Sequence, residues 1–462
     1  MMRRDRLWLA GLLVLFLSLV AGSWIGFIAS DDVTYAHGAY GWIEHFPFVG
    51  GHGTIRYPIT IPMALSFTAF GGNSFAMVLP SLLYMLGFLC LAFVLVRRQI
   101  DAPAAIGALL LLVTSPLLVI QSSIASVDIV EMSLLFLSFF LLYRRLEGQG
   151  GAKSLYFAGV AAGIAFLTRE TAIFSAVFFG LLFLAGYRIP RAQYLLVAAG
   201  FLSVWALEVA YLWIMTGDPL YRINISLHHD SSIDRSVDLA GNVIFNPLVD
   251  PLLVLLLNQE FMLLFFVAIP MTVWLCFGRG IAAGTQRLAR LLALFGLCWF
   301  VCVAAVQHLL PLNPRYFMIT AAIACILTGI GLAALYERHG KRLVALVLMC
   351  GLIGTNAAGI AVENKQPQFG ERTLAAIAAA RPGVRIATDP MTRYRADMLL
   401  KWEGAQSRVI DTPTKPNELY FYNPKYADAA NFKMPEAARP AYQPQPGWRQ
   451  VSRYEAPRSW LA

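Results

Sequence analysis

Long uninterrupted runs of apolar side chains dominate this chain of 462 residues. A helix that crosses the hydrocarbon core of a bilayer needs roughly 20 consecutive apolar residues. Only 14% of the residues are charged and 58% are hydrophobic, so water alone is a poor solvent for this surface. We expect an α-helical polytopic membrane protein. About eleven spanning helices are predicted, at roughly 7–29, 74–96, 103–120, 129–143, 154–168, 171–187, 192–214, 252–276, 291–309, 316–336 and 342–361.

The first apolar run follows a short basic segment and begins at Leu7. A secretory signal peptide is the alternative interpretation. The run is about 22 residues long, and Ala29-Ser30-Asp31 is a poor cleavage sequence. We therefore expect a retained first helix.

Basic residues are distributed unevenly between the two sets of alternate loops. Cytoplasmic loops of membrane proteins carry an excess of Lys and Arg. The opposite loops carry only Arg56, Arg169, Arg222, Arg235 and Arg315. The distribution predicts a bacterial inner-membrane protein with a cytoplasmic N-terminus and an extracytoplasmic C-terminal tail. The loops rich in basic residues contain Arg3, Arg4, Arg6, Arg97, Arg98, Arg144, Arg145, Lys153, Arg188, Arg191, Arg279, Arg287, Arg290, Arg338, Lys341 and Arg342.

The predicted outer side carries three long segments, at 30–73, 215–251 and 362–462. Within the first, 59–70 is apolar but short and interrupted by proline, which favours a helix lying on the membrane. We expect two domains, a membrane-embedded module over 1–361 and a soluble extracytoplasmic region over 362–462.

The tail has a sequence pattern of its own. Helices are predicted at Thr373–Ala380 and Thr392–Trp402, and strands at Val384–Thr388 and Arg408–Ile410. After Asp411, Pro, Asn, Tyr and Lys favour loops. The pattern predicts a small α/β appendage.

Cysteine usage and net charge exclude two further classes of function. All six cysteines lie in apolar runs, so we expect neither disulfides nor a cysteine metal site. The formal net charge is +9, but most basic residues lie at the ends of apolar runs rather than among aromatic residues on a soluble face. Membrane topology therefore explains the charge better than nucleic-acid binding does.

Two adjacent acids, Asp31 and Asp32, follow the first apolar run directly. Paired carboxylates at a low-dielectric boundary titrate apart or hold a cation. One of them could also accept a proton from an attacking hydroxyl group. The alternative is a solvated pair that marks a helix end. The residues alone leave both readings open.

Other charged residues also lie where predicted helices leave the membrane. Arg169 and Glu170 occupy a tight turn, where they could form a local ion pair or Arg169 could face a phosphate. Asp128 and Glu131 are three positions apart and hence share one helical face. They could form a packed polar cluster or the wall of a site.

The remaining polar groups come from three predicted outer loops. Arg56-Tyr57-Pro58, Arg222 with His228-His229-Asp230, and His308 with Arg315-Tyr316 complete the set. The two histidines with Asp230 could bind a metal, although adjacent side chains point in different directions on regular structure. Together the outer arginines and carboxylates suit an anionic phosphate beside a proton acceptor, and they would also suit a transporter vestibule for an anion.

Several segments resemble motifs of a known enzyme family. Ser30-Asp31-Asp32-Val33-Thr34-Tyr35-Ala36 is similar to the Asp-Glu-x-x-Tyr-Ala segment of GT-C-type membrane glycosyltransferases. The nearest group includes protein O-mannosyltransferases, lipid A aminoarabinose transferases and RgtA/B/C/D-like bacterial enzymes of glycosyltransferase families 39 and 83. Asp32 stands where the group usually has Glu, and Arg169 where Lys is common. Further similar segments are Tyr57-Pro58, Phe70 to Ser74, Ala125 to Asp128, Gly163 to Glu170 and Pro314 to Phe317.

The resemblance implies a GT-C fold with juxtamembrane helices on the outer face, and transfer of a sugar from a polyprenyl phosphate to an envelope lipid, polysaccharide or protein. It implies that Asp31 is the general base and that Asp32 orients the acceptor or holds a divalent metal, the one cofactor left open. Arg56, Arg169 and Arg315 would stabilise the leaving phosphate. The other residues expected to bind substrate are Tyr35, Tyr57, Asp128, Glu170, Arg222, His228, His308 and Tyr316.

Two other classes of function stay open at the level of sequence. A transporter or flippase of an anionic or lipid-linked substrate predicts broken helices in mid-membrane and related halves. A non-catalytic membrane scaffold would use the tail to bind a partner.

Overall fold

The computed structural model describes residues 3–228, 249–306, 312–338, 340–412, 419–427 and 440–455, and most of them are helical. The helices are α1 (Arg3–Gly22), α2 (Asp31–Glu44), α3 (Tyr57–Phe70), α4 (Ser74–Gln99), α5 (Ala102–Thr114), α6 (Pro116–Ser122), α7 (Val127–Leu146), α8 (Lys153–Thr168), α9 (Ser175–Ala185), α10 (Arg191–Thr216), α11 (Tyr221–His228), α12 (Asp250–Leu257), α13 (Leu264–Phe277), α14 (Ala283–Ala305), α15 (Met318–Tyr336), α16 (Arg342–Glu363), α17 (Phe369–Ala380), α18 (Pro390–Trp402) and α19 (Pro424–Ala427). Short 3-10 helices cover Glu170–Phe174, Pro314–Phe317 and Gln406–Arg408.

Six helices among the described residues are long and apolar enough to cross a membrane: α1, α4, α10, α14, α15 and α16. The bent pair α5 and α6 makes a seventh if it counts as one span. The chain is therefore a multi-pass membrane protein. The predicted number of eleven spans is not confirmed by this count.

Two predicted runs are broken into pairs of helices. The run at 103–120 bends by 61° between α5 and α6. The break falls at Ser115, which is extended because it precedes Pro116, a residue that cannot donate a backbone hydrogen bond. The run at 252–276 divides into α12 and α13, and Asn258 at the break accepts a hydrogen bond from the Glu260 N–H at 2.8 Å.

The first helix is shorter than predicted, and this changes the setting of the acid pair. Helix α1 ends at Gly22 instead of continuing to residue 29. The connecting segment contains two residues with positive φ, Gly26 and Ala29. The Gly26 N–H donates to the Ser123 carbonyl at 2.8 Å, which holds this segment against the end of α6. Asp31 therefore begins a second helix rather than ending the first.

Helices α2 and α3 pack together at one end of the bundle, which we call the site face. Helix α3 covers the segment predicted to lie on the membrane. The opposite end carries an ion pair between Arg97 Nε and Asp5 Oδ1 at 3.1 Å. Between the two ends, buried aromatic rings such as Phe139 and Phe295, stacked 5.6 Å apart, fill the core.

The C-terminal region has a core of its own and also contacts the site face. Strands β1 (Ile386–Thr388), β2 (Val409–Ile410) and β3 (Leu419–Phe421) form a parallel sheet in the order β2-β1-β3. The third strand lies where the sequence predicts loops. Helices α17 and α18 pack on each other beside this sheet, around buried Leu374 and Leu400.

Candidate active site

Five separate segments bring charged side chains together at the site face. They are the first turn of α2, the loop before α3, the first turn of α7, the end of α8 and the 3-10 helix before α15. Each charge lies at the end of an element, where a charged group costs less than it does in mid-membrane. The residues they contribute are Asp31, Arg56, Asp128, Arg169 and Arg315.

Asp31 is the accessible carboxylate of this cluster. Its side chain is 48% exposed, and Oδ2 accepts a hydrogen bond from Arg315 Nη1 at 3.3 Å. Partial burial by itself would raise the pKa of Asp31. The guanidinium groups of Arg315, Arg56 and, more weakly, Arg169 and Arg395 outweigh that effect and lower the pKa to about 2. The carboxylate is therefore ionised at neutral pH.

Asp32 has the opposite environment. It is fully buried, and its carboxylate accepts hydrogen bonds from the N–H groups of Ile28, Ser30 and Val33 at 2.6, 2.7 and 3.0 Å. Burial raises its pKa to about 6, against the effect of these bonds. The carboxylate holds the turn that leads into α2. Its oxygens accept hydrogen bonds from the backbone of that turn, whereas Asp31 pairs with Arg315.

Asp128 connects two of the arginines. Arg169 forms an ion pair with its Oδ1, and Arg315 Nε lies 3.9 Å from its Oδ2. The Arg169 guanidinium also lies over the ring of Tyr316, 4.1 Å from the centroid. The indole N–H of Trp299 donates to the Tyr316 carbonyl at 2.8 Å and fixes that turn. Both cations are thus held rigidly beside Asp31.

Arg56 differs from the other two arginines. Its Nη1 donates to the Tyr35 hydroxyl at 3.2 Å, and its Nη2 lies 3.2 Å from His52 Nε2. Within the described part of the chain it forms no ion pair with a carboxylate, and its Nε has no hydrogen-bond partner. Its guanidinium group nevertheless helps to lower the pKa of both Glu170 and Asp31.

Arg222 and Glu170, both predicted to bind substrate, contact each other, but Arg222 is buried whereas the Glu170 side chain is 33% exposed. Arg222 donates to Glu208 at 2.5 Å, to Glu170 at 2.8 Å and to the carbonyls of Ile55 and Leu167 at 2.8 and 3.2 Å. Its donors are consumed by protein groups. This network joins α8, α10, α11 and the loop before α3. It therefore fixes the elements that carry Arg169 and Arg56.

Two further predicted residues have different surroundings. The Tyr57 ring packs edge-on against Trp42 and Tyr211, each 5.8 Å away. Its buried hydroxyl has no hydrogen-bond partner within the described ranges. Glu131 lies about one helical turn after Asp128 on α7. It is buried and accepts a hydrogen bond from the Thr171 hydroxyl at 2.6 Å.

The possible metal ligands His228, His229 and Asp230 cannot be placed. His228 ends α11, where its side chain is not described, and His229 and Asp230 lie outside the described ranges, as does His308, which is predicted to bind substrate. Within those ranges, no three His, Cys, Asp or Glu side chains are grouped to hold a metal.

Sequence reasoning missed a group of residues from the tail and from the break between α12 and α13. His37 on α2 lies 3.1 Å from Asp397 on α18, and Arg395 on the same helix is the weakest of the four cations that lower the pKa of Asp31. Burial, together with Glu363, raises the pKa of Glu260 to about 7. Proximity over hundreds of residues leaves no pattern in a single sequence.

Comparisons with known proteins agree with this architecture. Residues 59–216 match a sequence-family model described as dolichyl-phosphate-mannose-protein mannosyltransferase. No curated protein matches the chain.

Several solved structures share the fold. The chain is similar to ArnT from Cupriavidus metallidurans bound to undecaprenyl phosphate, with a TM-score of 0.58, 13% identity and 85% of each chain covered. The apo form of that protein gives a TM-score of 0.59, 12% identity and coverage of 85% and 84%. AglB, the oligosaccharyltransferase of Archaeoglobus fulgidus, was solved with an inhibitory peptide and a dolichol-phosphate. It gives a TM-score of 0.54 and 12% identity over 86% of this chain and 64% of its own. The chain therefore shares the fold of these membrane transferases, and its residues 59–216 match the mannosyltransferase family model.

Proposed function

We propose that this protein transfers a sugar from a polyprenyl-phosphate donor to an acceptor on the extracytoplasmic face of the bacterial inner membrane, with Asp31 as the general base. The observation that carries the proposal is the pairing of Asp31 with Arg315 at 3.3 Å. This pairing puts an ionised, half-exposed carboxylate directly beside a cation that is itself 25% exposed. A proton acceptor next to a phosphate-binding group is what transfer from a sugar phosphate requires.

The reaction is a single displacement at the anomeric carbon. The acceptor's hydroxyl or amine forms a bond to this carbon as the bond to the phosphate oxygen breaks, and the configuration inverts. The proton of the nucleophile passes to Asp31, and the electron pair of the broken bond leaves with the lipid phosphate. Negative charge therefore grows on the phosphate while Asp31 becomes neutral.

Three arginines would stabilise the leaving phosphate. Arg315 and Arg169 are oriented by Asp128 and Tyr316, and Arg56 is oriented by Tyr35. Preorganised cations of this kind need no rearrangement as the charge develops. We assign Asp32 and Arg222 to the support of these groups, because their polar atoms are engaged by the protein itself, whereas Glu170 stays a proposed substrate ligand with a partly exposed carboxylate.

An apolar groove next to the site would take the polyprenyl tail. It has a volume of about 420 Å³ and opens sideways between α3, α4 and α7. Ser133, which lines the groove, is five residues after Asp128 on α7, an axial separation of about 7.5 Å. The groove therefore begins within two helical turns of the charged cluster. Its lining residues are Pro62, Pro80, Leu83, Tyr84, Gly87, Phe88, Leu91, Ser133, Leu134 and Leu137.

The positive-inside distribution supports the orientation. The basic loops lie at the end opposite the site face, where Arg97 pairs with Asp5. A cytoplasmic N-terminus therefore directs Asp31 outward. A lipid-linked donor suits this location, because nucleotide sugars are made in the cytoplasm.

The direct test is Asp31→Asn, which keeps the shape of the side chain but removes the base. Wild type, Asp31→Asn and the control Asp411→Asn, which alters an exposed carboxylate of the tail, would be expressed in a strain that lacks the protein. Mass spectrometry of envelope lipids and glycans then measures transfer. We expect a sugar mass with wild type and Asp411→Asn that is lost with Asp31→Asn. Full transfer by Asp31→Asn in correctly inserted protein would disprove the assigned role.

A further inference from the structure

Helix α18 of the C-terminal region lies along α2, the helix that begins with Asp31. Thr34 Oγ1 lies 3.4 Å from Tyr394 Oη, and His37 Nε2 lies 3.1 Å from Asp397 Oδ2. Both pairs are separated by 360 positions in the sequence, so the two helices run parallel in one register. The N-terminal half of α18 is therefore level with the first turns of α2.

The inward face of α18 is identified by its contacts. Met398 is buried in the core of the membrane module, and the Trp402 ring packs against Phe27 at 5.9 Å and Phe67 at 6.3 Å. Arg395 precedes Met398 by three positions and Trp402 by seven, which places all three on one stripe of the helix.

The long side chain of Arg395 reaches beyond its own position. Side chains on an α-helix lean towards its N-terminus. In the shared register, Arg395 lies opposite Tyr35 on α2. A side chain that leans towards the N-terminus of α18 therefore extends towards the first turn of α2, which contains Asp31. Consistent with that position, Arg395 is one of the cations that lower the pKa of Asp31.

The donors of Arg395 are open to a ligand. Within the described ranges, its guanidinium group forms no hydrogen bond or ion pair, and it lies 5.9 Å from the ring centroid of its neighbour Tyr394. Arg393 on the same helix provides a contrast, since it donates to Asp397 at 2.6 Å and to the Val409 carbonyl at 3.0 Å. Arg393 therefore uses its donors to support the fold of the tail, whereas those of Arg395 are not used in this way within the described residues.

Asp31 thus has a cation on each side. Arg315 approaches from the membrane module, where a lipid-linked donor must lie because its tail is in the bilayer. Arg395 approaches from the soluble region, the side from which the acceptor must reach the base. A second cation on the acceptor side has no part in stabilising the leaving phosphate.

We propose that Arg395 is a specificity-determining residue that binds an anionic group, a phosphate or a carboxylate, on the acceptor and thereby holds the acceptor's nucleophile at Asp31. The inference rests on the proposed function and adds the chemical class of the acceptor. The C-terminal region then forms one wall of the active site.

The test compares Arg395→Gln and Arg395→Lys with Arg385→Gln, an equal loss of charge at an exposed position before β1. Full-length proteins in nanodiscs would be assayed for binding of undecaprenyl phosphate. They would also be assayed for sugar transfer to an acceptor fraction, which consists of lipids and glycans extracted from a strain that lacks the protein. The concentration of this fraction would be varied to obtain the KM for the acceptor. Inorganic phosphate would serve as the competing anion.

We expect Arg395→Gln to raise the KM for the acceptor fraction tenfold or more and to leave the Kd for undecaprenyl phosphate within twofold of wild type. Arg395→Lys should recover most of the loss, and Arg385→Gln should match wild type. Inorganic phosphate should compete with the acceptor in wild type and lose this effect in Arg395→Gln.

Three results would overturn the inference. The first is an unchanged KM for the acceptor in Arg395→Gln. The second is weaker binding of undecaprenyl phosphate by that variant, which would assign Arg395 to the donor. The third is wild-type transfer in which inorganic phosphate does not compete with the acceptor. The last measurement needs no variant. Absence of transfer by wild-type protein would instead refute the proposed function, so the two failures can be distinguished.

Discussion

Replacing Arg315 by Gln removes the cation that contacts Asp31 most closely. The substitution should raise the pKa of Asp31 and also weaken stabilisation of the leaving phosphate. Arg315→Lys is the matched control, because it keeps the charge and loses the planar donor fork. The two effects predict different changes, one in the pH dependence of the rate and one in its maximum.

The size of the pKa effect follows from the geometry. Arg315 Nη1 and Asp31 Oδ2 are 3.3 Å apart, and the Asp31 side chain is 48% exposed, so water screens the pair strongly. Two unit charges at this distance interact by about 1.3 kcal/mol at an effective dielectric constant of about 80, and by about 2.5 kcal/mol at about 40. Loss of the guanidinium should therefore move the pKa of Asp31 from about 2 to about 3–4.

The sign of the pH effect follows directly. A general base must be ionised, so its activity is lost as the pH falls through its pKa. With wild type, the single-turnover rate should stay level above about pH 4. With Arg315→Gln, the maximal rate should fall by about 10²–10³-fold, and an acid limb should appear with its midpoint at about pH 3–4. Arg315→Lys should keep the wild-type profile.

The assay is single-turnover transfer in nanodiscs during brief exposure to about pH 2–8, with recovery of activity at pH 7 as the control for folding. An acid limb near pH 6 in wild type would refute the reasoning, because Asp32, not Asp31, has a pKa of about 6. An Arg315→Gln enzyme with the wild-type rate and profile would also refute it.

Three other substitutions test the remaining assignments. Arg222→Met should destabilise the protein by about 3–5 kcal/mol, because it leaves the buried Glu208 without its cation. Thermal unfolding in nanodiscs measures the loss of stability, and a wild-type Tm would contradict the structural role of Arg222. Asp32→Asn should lower Tm and activity together, because an amide cannot replace a carboxylate that accepts three N–H bonds, whereas Asp31→Asn should lower activity alone. Gly87→Trp should fill the groove and raise the Kd for undecaprenyl phosphate at least tenfold with Tm unchanged, since a Cβ at Gly87 meets nothing within 4 Å, and unaltered binding would show that the tail lies elsewhere.

The two adjacent aspartates show how one site separates neighbouring carboxylates. Asp31 is half-exposed and lies among the arginines, so its ionised form is favoured. Asp32 points into the protein, where burial opposes charge and backbone N–H groups hold it in place. Consecutive residues at the start of a helix point about 100° apart, which is enough to give two acids unrelated environments.

The sequence by itself determined the features that depend on local composition and pattern. Apolar runs established a multi-pass membrane protein, because only bilayer accommodates so much apolar surface. Charges at the ends of those runs indicated Asp31, Asp128, Arg169 and Arg315, because a charge near a membrane boundary is retained where it has a partner or a use.

The tertiary structure alone decided which of these charges contact one another. It turned Asp32 and Arg222 into buried supports, and it broke two apolar runs that hydropathy predicted as single helices. It also laid α18 along α2 and brought Arg395 into the neighbourhood of Asp31 across 364 positions (395 − 31). Hydropathy and spacing describe neighbours along the chain, whereas the direction of a side chain and the docking of a distant helix depend on how the whole molecule packs.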